Sequence, residues 1–344
     1  LIARSKHVVT LLAGDGIGPE VVGVTIRAIG ALGVDIEWEP LPIGQRAVDE
    51  TGTTLPDIVL ESVQRNGVAL KGPTGTPVGG GHPSVNVGLR RALNLYANFR
   101  PFRNLPGVKT RYDDVDMYIV RENTEGLYTG IEHLIVPGVV ESLKIVTAEA
   151  STRIARFAFK FAEGRGRRKV TAVHKANIMK LSDGLFLECC RSVAREHPGI
   201  RYEELIVDNA CMQLVTDPTR YDVIVAENLY GDILSDLCAG LVGGLGFAPG
   251  ANLGDEVGVY ETVHGSAPDI AGRNLANPIA SVLSGVMMLR HLDENAAADR
   301  LKAAVFAVLA RGETRTRDLG GTATTSEMGE ALLQEIERTE ASVG

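Results

Sequence analysis

Cysteine is scarce in this 344-residue chain, and the four present (Cys189, Cys190, Cys211 and Cys238) show neither C-x-x-C spacing nor the pattern of a disulfide framework. They read as buried reduced thiols, which fits a reducing compartment. No apolar run approaches the length needed to span a bilayer, no signal peptide opens the sequence, and no membrane role is expected. Residue 1 is Leu rather than Met, which is compatible with a trimmed start and a removed targeting segment. Positive charge is also in deficit: the formal net charge is −8, which argues against nucleic acid or an anionic membrane as a partner. An anionic ligand would need a local arginine cluster to overcome that field. Internal repeats, low-complexity tracts and clear linkers are missing too. What remains is 44% hydrophobic and 23% charged, ordinary for a soluble globular protein and long enough for two domains.

Strands alternating with helices predict an open α/β sheet. The segments 6–13 (KHVVTLLA), 34–41 and GVALKGP read as strands, with a helix at 55–66 between the last two. Gly14, Gly16 and Gly18 follow the first strand in G-x-G-x-G spacing, with Pro19 where a helix should begin. A phosphate cradle and a plain glycine-rich strand-to-helix turn both explain that stretch. The Gly- and Pro-rich loop 72–83 lies at a strand's C-terminal end, where open α/β sheets bind ligands. The spacing predicts a helix over 84–102 with Ser84 near its N-cap, and Asn86 and Arg90 sharing a face. Residues 134–147 alternate like an exposed hairpin that could join two subunits. Strand–helix units follow through 169–241, then helices at 278–292, 296–311 and 325–339.

Asp232 and Asp236 stand four residues apart in NLYGDILSDLCAGLVGGLG, with Leu234, Leu237 and Leu241 as an apolar stripe. Both carboxylates then share a helix face and repel unless a cation lies between them. Asp208, which follows a strand one unit earlier, can supply a third oxygen ligand, and the set favours Mg²⁺ or Mn²⁺. A solvated acidic helix face is the plainer reading. Arg90, Arg100 and Arg121, with Ser84 and Asn86, could clamp an anion with several carboxylates, because guanidinium binds carboxylates bidentately. Lys175, with the polar Asn177 nearby, and Tyr128 are candidate proton carriers; a surface lysine and a packing aromatic are the alternatives. His264 has no partner histidine and reads as a hydrogen-bonded loop residue.

Taken together, LLAGDGIGPE, KGPTGTPVGGGHPSVNVGLR, LYANFRP, RENTEGLYTGIEH, HKANIMK, NLYGDILSDL and HGSAPDIAG resemble, in order, the metal-dependent β-decarboxylating dehydrogenases. This is the isocitrate/isopropylmalate dehydrogenase family. LYANFRP, VVESLKIVT and KLSDGLFLECC are most similar to the NAD-dependent isocitrate enzymes. The resemblance implies an α/β fold that is not a true Rossmann fold, with large and small domains around a central cleft. Residues 1–98 plus 248–344 would form the large domain and 99–247 the small one, with a dimer clasp at about 126–148. It also implies a homodimer or higher homo-oligomer whose sites are shared, Lys175 and Asp208 reaching the neighbouring subunit. The compartment would be a bacterial cytoplasm, or a mitochondrial matrix after loss of a presequence.

The same resemblance assigns roles. Ser84, Asn86, Arg90, Arg100, Arg121 and Asn177 match substrate-binding positions, Tyr128 and Lys175 the proton-transfer pair, and Asp208, Asp232 and Asp236 the metal ligands. Ser84 and Asn86 favour isocitrate, because the isopropylmalate enzymes place apolar residues there; a leucine would leave a carboxylate without a donor. Homoisocitrate and 3-isopropylmalate are the alternative substrates, and a regulatory isocitrate dehydrogenase subunit the alternative role. NAD would be held by Lys71, Gly72, Thr76, Glu261, His264, Gly265, Ser266, Ala267, Asp269, Ile270 and Asn277. Asp269 would accept from a ribose 2′-hydroxyl and repel a 2′-phosphate. Gly75 departs from relatives that carry Thr, and the N-terminal glycines lose a cofactor role.

Overall fold

The computed structural model describes residues 6–76 and 84–341, so the part of the 72–83 loop beyond Thr76 lies outside the described residues. The chain divides into two compact units, Leu1–Leu93 with Asn104–Arg111 and Val242–Gly344, and Asn94–Arg103 with Tyr112–Leu241.

In the first unit the strands lie in the order Ile36–Pro40, His7–Leu12, Val68–Lys71, Gly258–Thr262 and Pro249–Leu253. The first four run parallel and the last antiparallel. The sequence reading omitted the last two. Pro249 and Gly250 disguise the first of them, because both residue types are depleted in strands. Helix Gly18–Gly30 carries Pro at its first turn, where its missing N–H costs nothing. It packs on Ile279–His291 and Thr325–Ala341. Ile279–His291 is buried almost all round, and Asn295–Arg311 covers it. Val9, Val21, Ile29, Leu70, Val282, Leu301, Val305 and Met328 meet in this core. Each large aliphatic side chain there contributes roughly 1.5–3 kcal/mol by leaving water. An aspartate at Val282 would break it.

The second unit orders its strands Ala97–Arg103, Asp116–Glu122, Val223–Ala226, Lys169–His174 and Arg201–Ile206. Only the first pair is antiparallel. Here the sequence expectation needs correction: the helix starting after Ser84 stops at Ala92, and 97–103 is a strand. Asn94 takes a left-handed φ of +47° that ends the helix. Pro101 could not sit inside a helix without removing a hydrogen bond. Asn98, Arg100 and Phe102 are buried on one side of the strand. Phe99 on the other stacks on Tyr118 at 5.4 Å and meets Phe161 at 4.7 Å.

Strands Glu132–Val136 and Val139–Ser142 form a separate antiparallel hairpin. Every residue in them is exposed, including Leu134 at 69% and Val140 at 64%. Among the described residues no helix is long and apolar enough to cross a membrane.

Candidate active site

Helix Asn228–Leu241 follows the buried strand Val223–Ala226 and carries Asp232 and Asp236 on consecutive turns. Its buried face runs through Gly231, Leu234, Ser235 and Cys238, while Leu237 and Leu241 are only half-buried. The core stripe is therefore rotated from the expected leucine line, and Asp232 comes to lie against strand residues rather than in open solvent.

Those strand residues are arginines. Arg121, 1% exposed on Asp116–Glu122, donates from Nε and Nη2 to Asn228 Oδ1 at 2.9 and 2.7 Å. Its Nη1 donates to Asp232 Oδ1. Arg100 Nη1 lies 3.6 Å from the same oxygen. Register explains the convergence: Arg121 sits opposite Asn98, so Arg100, two residues along, faces the same side. The hydroxyl of Tyr128 donates to Asp232 Oδ2, and the Arg121 guanidinium stands 5.0 Å from the Tyr128 ring centroid. Gly231 permits this closeness, because a Cβ there would lie 2.6 Å from both Cβ and Cγ of Arg121.

Partial desolvation raises the Asp236 carboxyl above its ordinary range; Asp232 adds to this, and Arg100 and Arg121 oppose it. A pair of carboxylates in that condition suits a hard divalent cation, which would relieve both the repulsion and the desolvation. Among the described residues, however, no three His, Cys, Asp or Glu side chains are grouped closely enough to hold a metal ion. Asp208 therefore does not join the pair within one chain.

Asp208 instead opens helix Val207–Thr216, where it accepts from Lys175 Nζ at 2.6 Å. That bond and the helix-start N–H groups hold its carboxyl below the usual range. Lys175 follows strand Lys169–His174, and its backbone N–H donates to Asp183 Oδ2 at 2.6 Å. Asn177 is exposed beyond it. Asp183 escaped the sequence reading, although a lone acid heading the apolar helix DGLFLECC was a usable signal. It is fully buried and also accepts from Tyr230 at 3.1 Å and from Lys144. Lys144 bridges onward to Glu227. Asn228, which orients Arg121, escaped notice as well.

In the first unit, Lys71 Nζ donates to Glu261 Oε2 at 2.6 Å, while Arg90 Nη2 and Asn252 reach Oε1 at 3.1 and 2.6 Å. All four are buried. Burial alone would raise the Glu261 carboxyl, but the charges of Lys71 and Arg90 override it and hold it at about 2. Ser84 is the N-cap of Val85–Ala92 but makes no side-chain cap bond, so its hydroxyl is not consumed by the helix. Asn86 accepts from Thr74 at 3.2 Å, and the exposed Thr76 donates to Ser84 at 3.4 Å.

The His264 ring bonds the Gly265 carbonyl at 3.0 Å, and burial lowers its pKa. Its Nε2 is buried with no partner among the described residues, an acceptor or donor that a ligand could satisfy. Ala267 sits at φ +40°, and Asp269 is exposed beside the half-buried Ile270. Ser266 and Gly72 pack against the 13–18 turn through their backbones. Asn277 donates to Asp318 at 2.8 Å and accepts from the Ile279 N–H.

The chain as a whole is similar to known proteins. The chain is 56% identical over 328 residues to isocitrate dehydrogenase [NAD] catalytic subunit 5, mitochondrial, of Arabidopsis thaliana, covering 95% of this chain and 88% of that one. It is 55% identical to the chloroplastic 3-isopropylmalate dehydrogenase of Solanum tuberosum, over 88% and 85% of the two chains. The crystal structure of isocitrate dehydrogenase from Methylococcus capsulatus superposes with a TM-score of 0.94 at 49% identity, covering 96% of this chain and 99% of that one. A family model described as isocitrate/isopropylmalate dehydrogenase matches residues 8–332, which takes in both units and every site residue above, and to that family this chain belongs.

Proposed function

We propose that the chain oxidises and decarboxylates isocitrate to 2-oxoglutarate and CO₂ with NAD, as a step of the tricarboxylic acid cycle. The observation that carries this reading is the convergence of Arg121, Arg100 and Tyr128 on Asp232, beside Asp236. Guanidinium groups and a phenol beside two acids are the groups that binding a carboxylate substrate, giving a proton and holding a divalent cation would require, which supports this reading.

Arg90, Arg100 and Arg121 bind the substrate carboxylates, and Ser84 and Asn86 donate to the carboxylate that distinguishes isocitrate. Asp232 and Asp236, completed by Asp208, hold Mg²⁺ or Mn²⁺. A divalent cation there would supply Lewis-acid chemistry toward the substrate's oxygens. NAD, held by the 71–76 and 264–270 loops and Asn277, would supply a hydride acceptor for C2 of the substrate. Lys175 takes the hydroxyl proton, directly or through water. The ketone so formed is β to a carboxylate, which leaves as CO₂, and Tyr128 gives a proton to C3.

The active form in this reading is a homodimer or larger assembly, since Asp208 and Lys175 pair with each other rather than with Asp232 and Asp236. The exposed apolar hairpin supports the same view. A bacterial cytoplasm or a mitochondrial matrix is the setting. The name of the potato relative favours 3-isopropylmalate as a second reading, with homoisocitrate behind it. NADH production by the purified chain with Mn²⁺ separates them, comparing the three acids with NAD and with NADP. Preference for isocitrate with NAD supports the proposal; preference for another acid overturns the argument from Ser84. Absence of activity with every pair brings the regulatory-subunit reading forward.

A further inference from the structure

The turn at residues 13–18 resembles a phosphate loop in its glycines, yet its backbone is occupied by two other loops. The Asp15 N–H donates to the Pro73 carbonyl at 2.7 Å and the Ile17 N–H to the Ser266 carbonyl at 2.9 Å. The Asp15 carboxylate accepts from the Gly75 N–H through Oδ2 and from the Gln45 N–H through Oδ1, each at 2.8 Å. A Cβ on Gly14 would stand 2.1 Å from Pro73 O, and one on Gly16 1.9 Å from Ser266 O. Both positions also have positive φ, at +78° and +59°. The glycines thus allow three backbone segments to touch where side chains would hold them apart.

We infer that this turn is a scaffold for nucleotide binding, and that Asp15 is a positioning residue that sets the 72–76 loop relative to the 264–270 loop without touching the cofactor. The inference rests on the reading of those two loops as the NAD-binding loops. The Asp15 carboxylate takes one N–H from the 72–76 loop, at Gly75, and one from Gln45 at the start of helix Gln45–Thr51, so it ties that loop to the turn and to a helix at once. An asparagine at 15 keeps one acceptor and turns an amide NH₂ toward an N–H, so one of the two bonds is lost. An alanine at 16 leaves Asp15 alone but pushes Ser266 away.

The test compares Asp15→Asn and Gly16→Ala with Thr25→Val. Thr25→Val disrupts a buried hydrogen bond to Ser281 in the same unit, away from these loops. Amide exchange of the cofactor-free proteins and steady-state kinetics are both read. Asp15→Asn is expected to speed exchange in 72–76 and Gly16→Ala in 264–270, each raising KM for NAD by about tenfold. In Gly16→Ala the KM for isocitrate should move by no more than about twofold. Thr25→Val should lower Tm while leaving KM for NAD and exchange in both loops as in the wild type. Unchanged exchange in the two loops overturns the inference, as does a KM for NAD that rises no more than in Thr25→Val. If the wild type produces no NADH at all, the proposed function fails, and the exchange data still decide whether the turn is a scaffold.

Discussion

Lys175 Nζ donates to Asp208 Oδ1 at 2.6 Å, so within one chain a proposed proton acceptor and a proposed metal ligand neutralise each other. If both serve the neighbouring subunit, a heterodimer of Lys175→Met with Asp232→Asn holds one site with all residues intact and one with both lost. It is expected to show about half the wild-type turnover per dimer, whereas each variant homodimer is inactive. Inactive heterodimers, measured after co-expression with two affinity tags, would place every residue of a site in one chain.

Asn228 receives two N–H groups of the buried Arg121 on a single oxygen. Asn228→Ala leaves that guanidinium short of an acceptor, and the expected loss of stability is about 1–3 kcal/mol. The freed arginine can also reorient, so KM for isocitrate should rise more than kcat falls. Urea denaturation and initial rates check the two effects separately, and an unchanged KM would restrict Asn228 to a structural role.

The folded-state pKa of Glu261 is about 2, below the 4.5 of the free group. A depressed carboxylate pKa contributes stability above pH 4.5 that is lost as pH falls toward 2. Glu261→Gln strands Lys71 without a carboxylate, and a loss on the order of 3 kcal/mol is expected at pH 7. The gap between variant and wild type should narrow as denaturation curves are taken below pH 4.5. A gap independent of pH would show that shape, not charge, matters at this position.

Glu227 shows the opposite sign. Burial pushes its carboxyl up to about 7 despite Lys144, with Asp183 and Glu125 adding to the rise. The folded state then holds a proton that the unfolded state has released between pH 4.5 and 7, so this group lowers stability as pH rises through that window. The effect reaches about 3 kcal/mol at most. Glu227→Gln should flatten the stability profile across pH 5–8. A profile as steep as the wild type's would assign the dependence to other groups.

Local pattern made the Asp232/Asp236 pair readable, because an i, i+4 spacing is enough to align two side chains. The same spacing found Leu234, which is buried, but overstated Leu237 and Leu241, which are half-buried while Gly231, Ser235 and Cys238 complete the buried face. Arg100 was identified but placed on a helix: the pattern of residues 84–102 hides a change of structure at Asn94, whose backbone conformation is not written in its neighbours' hydrophobicity. Asp183 and Asn228 were missed for a different reason. Their importance lies in which backbone N–H or guanidinium faces them across more than a hundred residues or across a helix start, and only tertiary pairing reveals that. The N-terminal glycines left a phosphate cradle and a plain turn both open, and the backbone that Gly14 and Gly16 admit favours the turn.

Gly231 contributes no functional group, yet it decides how closely two opposite charges meet beside it. Helix and strand approach until Arg121 can grip Asp232, and only the missing methyl group allows that distance. Attraction between the two charges falls with separation, so a wider gap would loosen the grip of Arg121 on Asp232 without altering a single ionisable residue. A volume of a few atoms is here converted into the reach of one guanidinium.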